Sequence, residues 1–175
     1  MVPDLVQIRK LAERKENENF RFRRFLKECD LEAGEIDGRV FDITHRVWAG
    51  IDCTTCANCC RELRPTFSED EVERVARRLG IEREVFIETY LDRLDAQDAN
   101  PWQTRTTPCP FLKGSLCSVY EDRPADCNDY PHLFKPDFVS RTLMMVERTF
   151  TCPIVYEAME ELKKSLLQQE GERLP

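Results

Sequence analysis

The sequence predicts a mainly α fold, namely a small helical domain with one short β-hairpin and an irregular, cysteine-rich core. Three observations lead to this expectation. Apolar residues recur at helical spacing in several segments, one segment contains two short apolar runs around a turn, and eight of the nine cysteines follow residue 52. A length of 175 residues suits one domain with an additional helical arm.

Amphipathic helices are predicted at the two ends of the chain. The first covers residues 4–29 and places Phe22, Phe25 and Leu26 on one face. The last begins at Pro153 and again repeats apolar residues along one side. These two segments are long enough to contribute much of the buried surface.

A helical hairpin is predicted in the middle of the chain. Ser68 and Glu71 form a capping box, because each side chain can accept a hydrogen bond from the backbone N–H of the other residue. Gly80 marks the end of this helix. A second helix over residues 82–94 is expected to complete the hairpin.

Other segments are less regular. Gly34 and Gly38 interrupt the apolar pattern, so only a weak helix is expected over residues 40–51. Residues 95–108 have the composition of a loop. Residues 108–120 contain two short apolar runs around Lys-Gly-Ser, which predicts the small β-hairpin.

Composition limits the classes of function. No apolar run approaches the roughly 20 residues that a membrane span needs, and charge occurs too early for a signal peptide. A net charge of -7 argues against binding nucleic acid through its phosphates. We therefore expect a cytoplasmic protein with no membrane span and no nucleic-acid partner.

Cysteine usage is the most informative feature. Nine cysteines in 175 residues are fewer than a disulfide-rich scaffold requires, and reducing compartments disfavour disulfides. Clustered cysteines in such a protein indicate a metal site or catalysis. Cys29 lies on an apolar helical face and is interpreted as a core thiol. The candidate ligands are Cys53, Cys56, Cys59, Cys60, Cys109, Cys117, Cys127 and Cys152.

The run CTTCANCC is the strongest motif. Its C-x-x-C turn lets two thiolates reach one metal, and three thiolates at this spacing can hold three corners of a zinc site or a cubane iron–sulfur cluster. The adjacent side chains of Cys59 and Cys60 are expected to diverge in an extended or turn segment. They would then serve different sites, or one would be a packed or reactive thiol. Eight thiolates suffice for two four-coordinate sites, or for one site with spare thiols.

Cations are expected beside the thiolates. Four thiolates around Zn²⁺ leave a charge of -2, so burial requires N–H···S bonds and positive neighbours. Arg123 is predicted to supply such a charge. His132, which follows Cys127 closely, is predicted to be hydrogen-bonded near the site, with direct ligation as the alternative.

These motifs together resemble a known family. The segments CTTCANCC, PCPFL, CSVYEDRPADCNDYP and TCPIVY are similar to the YkgJ-type CxxCxxCC cysteine-cluster family, a zinc- or iron-chelating domain. The resemblance covers about residues 50–165 and implies metal binding by the eight candidate cysteines. We therefore divide the chain into an N-terminal helical arm (1–50), a cysteine-cluster metal-binding domain (51–165) and a polar tail (166–175).

Three functions are compatible with these features. The first is a metal-binding protein that carries iron–sulfur (4Fe–4S) clusters in a redox, electron-transfer or metal-carrier role. The second is a zinc-stapled adaptor whose N-terminal helix binds a protein partner. The third, implied by the similar cluster of the flagellin lysine methylase, is a metal-dependent enzyme. The sequence contains no Ser–His–Asp set and no H-E-x-x-H motif, so the catalytic residues are unknown.

We predict that Cys56→Ser lowers the metal content and the melting temperature together, because metal-binding energy is folding energy in a site of this kind. Elemental analysis and thermal denaturation of the variant provide the test. Loss of metal with an unchanged melting temperature would contradict the prediction.

Overall fold

The computed structural model describes residues 4–94 and 99–170, with only the backbone for residues 168–170. It confirms a mainly α fold with short strands. The chain divides into two compact units. The helical unit comprises residues 4–52 and 131–170, and the cysteine unit comprises residues 53–130.

The elements follow one another along the described chain. The helices are α1 (Leu5–Glu28), α2 (Ala33–Ala49), α3 (Cys53–Cys56), α4 (Asn58–Glu62), α5 (Glu69–Leu79), α6 (Arg83–Tyr90), α7 (Ala125–Asn128), α8 (Phe138–Arg148) and α9 (Pro153–Glu170). The strands are β1 (Thr66–Phe67), β2 (Leu91–Arg93), β3 (Trp102–Thr104), β4 (Leu112–Lys113) and β5 (Leu116–Cys117). A 3₁₀ turn covers Tyr120–Asp122. None of the helices in residues 4–94 and 99–170 has the length and apolar character needed to cross a membrane.

The helical unit is built from α1, α2, α8 and α9. α2 packs against α9, and α1 packs against both α8 and α9. Asp4 caps α1 by accepting a hydrogen bond from the Gln7 N–H at 2.9 Å. The predicted first and last helices are therefore confirmed. The fully buried apolar side chains of this unit include Ile8, Phe22, Ile36, Met145, Ile154, Met159, Leu162 and Leu166.

α2 begins earlier than the sequence predicted. Gly34 and Gly38 lie inside this helix, so the expectation of a weak helix starting at residue 40 was wrong. A glycine within a helix costs about 1 kcal/mol relative to alanine. Burial of Ile36, Val40 and Ile43 offsets this cost, because tertiary packing supplies most of a helix's stability in proteins.

The cysteine unit contains its own apolar core beside two small sheets. β1, β3 and β2 form an antiparallel sheet in that order, and β4 pairs with β5 in the predicted hairpin. α5 begins with the predicted capping box and ends at Gly80, whose φ of 70° lies in the left-handed region. Phe67, Val75 and Phe86 are central members of this core.

The segment after α6 differs from the prediction. The helix expected over residues 82–94 ends at Tyr90, and the chain continues as β2. The loop expected over residues 95–108 contains β3, while residues 95–98 lie outside the described residues. β3 pairs with both β1 and β2, and these non-local hydrogen bonds are not visible in local composition.

Residues 131–165 pack with α1 and α2 in the helical unit. The long apolar face of α9 is buried against α2 and α1. The predicted extent of the metal-binding domain, residues 51–165, stays a prediction. The last part of the predicted polar tail, residues 171–175, lies outside the described residues.

A buried ion network joins α1 to α9. The Lys163 side chain is only 4% exposed, and its Nζ donates hydrogen bonds to Glu18 Oε1 at 2.6 Å and to Asn19 Oδ1 at 2.9 Å. Lys163 also pairs with Glu160, and Lys15 bridges the same two carboxylates from the other side. Burial opposes ionisation of Glu18, but the hydrogen bonds from the two lysines lower its pKa overall.

We predict that Lys163→Met destabilises the protein by about 1.5–3 kcal/mol, because it removes charge-assisted hydrogen bonds to Glu18 and leaves the buried Asn19 without its donor. The loss is limited because Lys15 still pairs with both carboxylates. Urea denaturation measures the loss, and Lys164→Met, at the exposed neighbouring position, is the matched control. Because the pKa of Glu18 is lowered in the folded protein, its contribution is present above pH 4.5 and disappears as the pH falls further. Equal stability of the two variants would contradict the prediction.

Candidate metal centre

Seven of the eight predicted ligands lie in the cysteine unit, on short elements. α3 carries Cys53 and Cys56, and α4 carries Cys59 and Cys60. All nine cysteines of the chain are described, and none of them forms a disulfide. The other three predicted ligands in the cysteine unit are Cys109, which lies just before β4, Cys117 in β5 and Cys127 in α7.

Backbone contacts bring these elements together. Ala57 adopts a left-handed conformation, with φ of 54°, and separates α3 from α4. The Cys109 N–H donates to the Cys60 carbonyl at 2.7 Å, which fixes the start of the hairpin beside α4. Cys117 is placed on the same hairpin by its pairing with Leu112. α3 also packs against β5, so the CTTCANCC motif and the hairpin lie side by side.

α7 is held by two acidic side chains. Glu71 Oε1 accepts a hydrogen bond from the Ala125 N–H at 2.7 Å, and Asp126 accepts one from the Thr66 N–H at 3.0 Å. These contacts fix the position of Cys127 relative to α5 and β1. The sequence identified Glu71 only as a helix cap, because its second role depends on a segment 54 residues away.

Four thiols form an electrostatic group drawn from three parts of the unit. Burial raises the pKa of Cys109 to about 11, and negative charge at Cys60 and Cys117 contributes to that rise. Burial also raises the pKa of Cys127 and of Cys117, again with contributions from the other thiols. Collecting several thiolates here is therefore unfavourable without a cation. We call this group the four-thiol cluster, and its members are Cys60, Cys109, Cys117 and Cys127.

Cys60 differs from the other three members. A hydrogen bond from Cys59 lowers the pKa of Cys60 to about 7, and the positive charges of Arg61 and Arg123 lower it further. The two Sγ atoms lie 4.0 Å apart. The expected divergence of these adjacent side chains was wrong, because it assumed an extended or turn segment whereas both residues lie in the helix α4.

Backbone N–H groups point towards the sulfur atoms. Hydrogen bonds from the N–H groups of Phe111 and Leu112 lower the pKa of Cys109, and the N–H of Val119 does the same for Cys117. The N–H of Asn58 acts on Cys56, although burial raises the pKa of this thiol overall. Such donors stabilise thiolates that bind a metal. The donor set therefore fits a zinc or iron centre.

Arg123 lies beside the four-thiol cluster, and its charge lowers the pKa of Cys60 and Cys117. Its guanidinium carbon stands 3.9 Å from the centre of the Tyr120 ring, and its Nη2 donates to Asn128 Oδ1 at 3.0 Å. Its Nε is buried without a hydrogen-bond partner among the described residues. This geometry is compatible with the predicted supporting role.

His132 and Cys152 belong to the helical unit. His132 is buried with φ of 65°, and its carbonyl accepts a hydrogen bond from Arg141 Nη1 at 2.9 Å. Cys152 is buried just before α9, and its N–H donates to the Arg148 carbonyl at 2.8 Å. The roles proposed for these two residues at the metal site stay predictions.

The four thiols affect one another's ionisation, but they do not surround a single metal-sized position. Within residues 4–94 and 99–170, no three His, Cys, Asp or Glu side chains are gathered closely enough to hold a single metal ion. The four-thiol cluster is therefore a set of thiols that influence one another's pKa, and its sulfur atoms do not form a closed tetrahedron.

Comparison with models of known protein families identifies the family of this chain. A model of the CxxCxxCC family, described as "Putative zinc- or iron-chelating domain", matches residues 52–153. The chain belongs to the CxxCxxCC family. The match covers more than half of the chain and includes every cysteine except Cys29, which confirms the resemblance seen in the motifs. No curated protein and no solved structure matches this CxxCxxCC protein.

We predict that iodoacetamide alkylates Cys60 faster than Cys109 in the metal-free protein at pH 7.5. A pKa of about 7 leaves Cys60 mostly ionised at that pH, whereas a pKa of about 11 keeps Cys109 protonated. Peptide mass spectrometry over a pH series should place the inflection for Cys60 near pH 7.

Two variants test the cause of this difference. Cys59→Ala removes the hydrogen bond to Cys60, so the pKa of Cys60 should rise and its alkylation at pH 7.5 should slow. Cys53→Ala removes a thiol from the same motif and should leave the rate at Cys60 unchanged. Equal labelling of Cys60 and Cys109 in the parent protein would refute the assignment.

Proposed function

We propose that this CxxCxxCC protein carries a 4Fe–4S cluster on its four-thiol cluster and acts in redox or electron-transfer chemistry. The observation that carries the proposal is that four thiols from three parts of the cysteine unit influence one another's pKa and have backbone N–H donors near their sulfur atoms. Metal chelation itself is the property that the family description gives. The proposal concerns which metal is bound and what it does.

A single zinc ion and a cubane cluster need different spacings between their sulfur ligands. Zinc–sulfur bonds of about 2.3 Å require the thiolates of a tetrahedral site to lie about 3.8 Å apart. Cys59 and Cys60 approach that separation at 4.0 Å, but no third donor of the described residues joins them. A cubane core is larger than an ion and holds its four thiolates further apart.

The electrostatics also support a highly charged inorganic group. Burial and mutual repulsion raise the pKa of Cys109, Cys117 and Cys127, so metal binding must displace protons and supply positive charge. When bound, a 4Fe–4S cluster supplies one-electron redox chemistry. The N–H···S hydrogen bonds and Arg123 would stabilise the added negative charge and thereby tune the reduction potential.

The remaining thiols of the CTTCANCC motif add metal-binding capacity. Cys53, Cys56 and Cys59 lie on α3 and α4 beside the four-thiol cluster and are proposed as ligands of a second metal. Nine cysteines without a disulfide suit a reducing compartment, so we place this function in the cytoplasm. The exposed cations of α1, including Arg21, Arg24 and Lys27, favour an acidic surface on the proposed protein partner.

We predict that protein purified without oxygen is brown and contains iron and acid-labile sulfide in near-equal amounts. Its visible absorption should bleach on reduction and return on oxidation. Elemental analysis, sulfide determination and visible spectroscopy measure these properties. Colourless protein that contains zinc would overturn the proposal and favour the zinc-stapled adaptor.

A pair of variants tests whether Cys127 is a ligand of the iron–sulfur cluster. Cys127→Ser should remove iron, sulfide and colour together, because Cys127 belongs to the four-thiol cluster. Cys29→Ser changes a thiol at the C-cap of α1 in the helical unit and should retain all three. Full iron content in Cys127→Ser would refute the ligand assignment.

A further inference from the structure

A polar cavity of about 340 Å³ lies within the cysteine unit, next to the four-thiol cluster. Ala125 and Asn128 of α7 line it, while Cys127 of the same helix belongs to the cluster. This volume lies within the range of small-molecule sites, which begins near about 300 Å³. The other lining residues are Glu71, Arg74, Tyr120, Glu121 and Arg123.

Two arginines of the cavity wall are held in place while part of each guanidinium stays available. Arg74 donates through Nε to the Asp122 carbonyl at 3.4 Å and through Nη2 to the Arg123 carbonyl at 3.1 Å. Arg123 is fixed by Asn128 and by the Tyr120 ring. The Nη1 groups of both arginines have no hydrogen-bond partner among the described residues.

Two carboxylates also line the wall, but neither accepts a hydrogen bond from Arg74 or Arg123. Glu71 is buried, and its two oxygens accept hydrogen bonds from the N–H groups of Ser68 and Ala125 at 2.9 and 2.7 Å. Its contact with Arg74 Nη2 is long, at 3.9 Å. Glu121 is exposed to solvent, where water screens its charge.

We infer that this cavity binds a small oxyanion, with Arg74 and Arg123 as its two charged contacts and the Tyr120 ring as one wall. A preorganised guanidinium recognises the oxygens of a carboxylate or a phosphate through two parallel hydrogen bonds. Arg123 contributes to this site and also places positive charge beside the thiols. The anion would therefore bind next to the metal centre, whichever metal is present.

The test is calorimetric titration of the metal-loaded, full-length protein with inorganic phosphate and, separately, with acetate. Saturable binding of one equivalent of either probe is expected, and the stronger probe identifies the class of oxyanion. Arg74→Gln should weaken that binding by roughly tenfold to a hundredfold, because it removes a charge-assisted hydrogen bond. Arg77→Gln, on the exposed face of α5, is the matched control and should bind normally.

A second variant keeps the test decisive if Arg74→Gln disturbs folding. Ala125→Leu fills the cavity while leaving both arginines in place, and Ala125→Ser is its control. Ala125→Leu should abolish anion binding with unchanged metal content and circular dichroism. The inference is overturned if the parent protein binds neither probe, or if a folded Ala125→Leu binds as well as the parent. Metal content of the same samples tests the proposed function separately.

Discussion

The hydrogen bond from the Cys109 N–H to the Cys60 carbonyl, at 2.7 Å, is the contact on which the cysteine unit depends. It joins two segments that are 49 residues apart in the chain and places one thiol from each beside the other. The pairing of Leu112 with Cys117 then adds a third thiol from the same hairpin. A metal centre can form here because backbone hydrogen bonds bring thiols from distant parts of the chain into one region.

The hairpin is in turn fixed by the aromatic core. Phe111 is buried, and its ring stacks on Phe86 at 5.9 Å and contacts Tyr90 at 5.4 Å. Its backbone N–H also donates towards Cys109, so one residue anchors the hairpin and stabilises a thiolate. Cys109 and Cys117 pack against the same core, which explains why burial dominates their pKa values. Apolar packing and metal affinity are therefore coupled in this unit.

The regular elements could be predicted from the sequence because their signals are local. The capping box at Ser68 and the αL position at Gly80 each depend on a few neighbouring residues. The strand at β3 and the grouping of α8 and α9 with α1 depend on distant partners, so local patterns did not reveal them. For the site, residue type and spacing identified the cysteines. Only tertiary contacts distinguish Cys60, whose pKa falls, from Cys109, whose pKa rises.

Glu71 links the start of α5 to the start of α7 through its two carboxylate oxygens. One of its oxygens closes the capping box of α5, and the other holds the first N–H of α7, so a single carboxylate orients the helix that carries Cys127. Because both oxygens accept from backbone N–H groups, Glu71 accepts no hydrogen bond from Arg123 and forms only a long ion pair with Arg74, at 3.9 Å. The N–H groups of the two guanidinium groups that face the cavity therefore stay available to an anion. Glu71 contacts both the helix that carries Cys127 and the wall of the proposed anion cavity, so a substitution at this residue would change both.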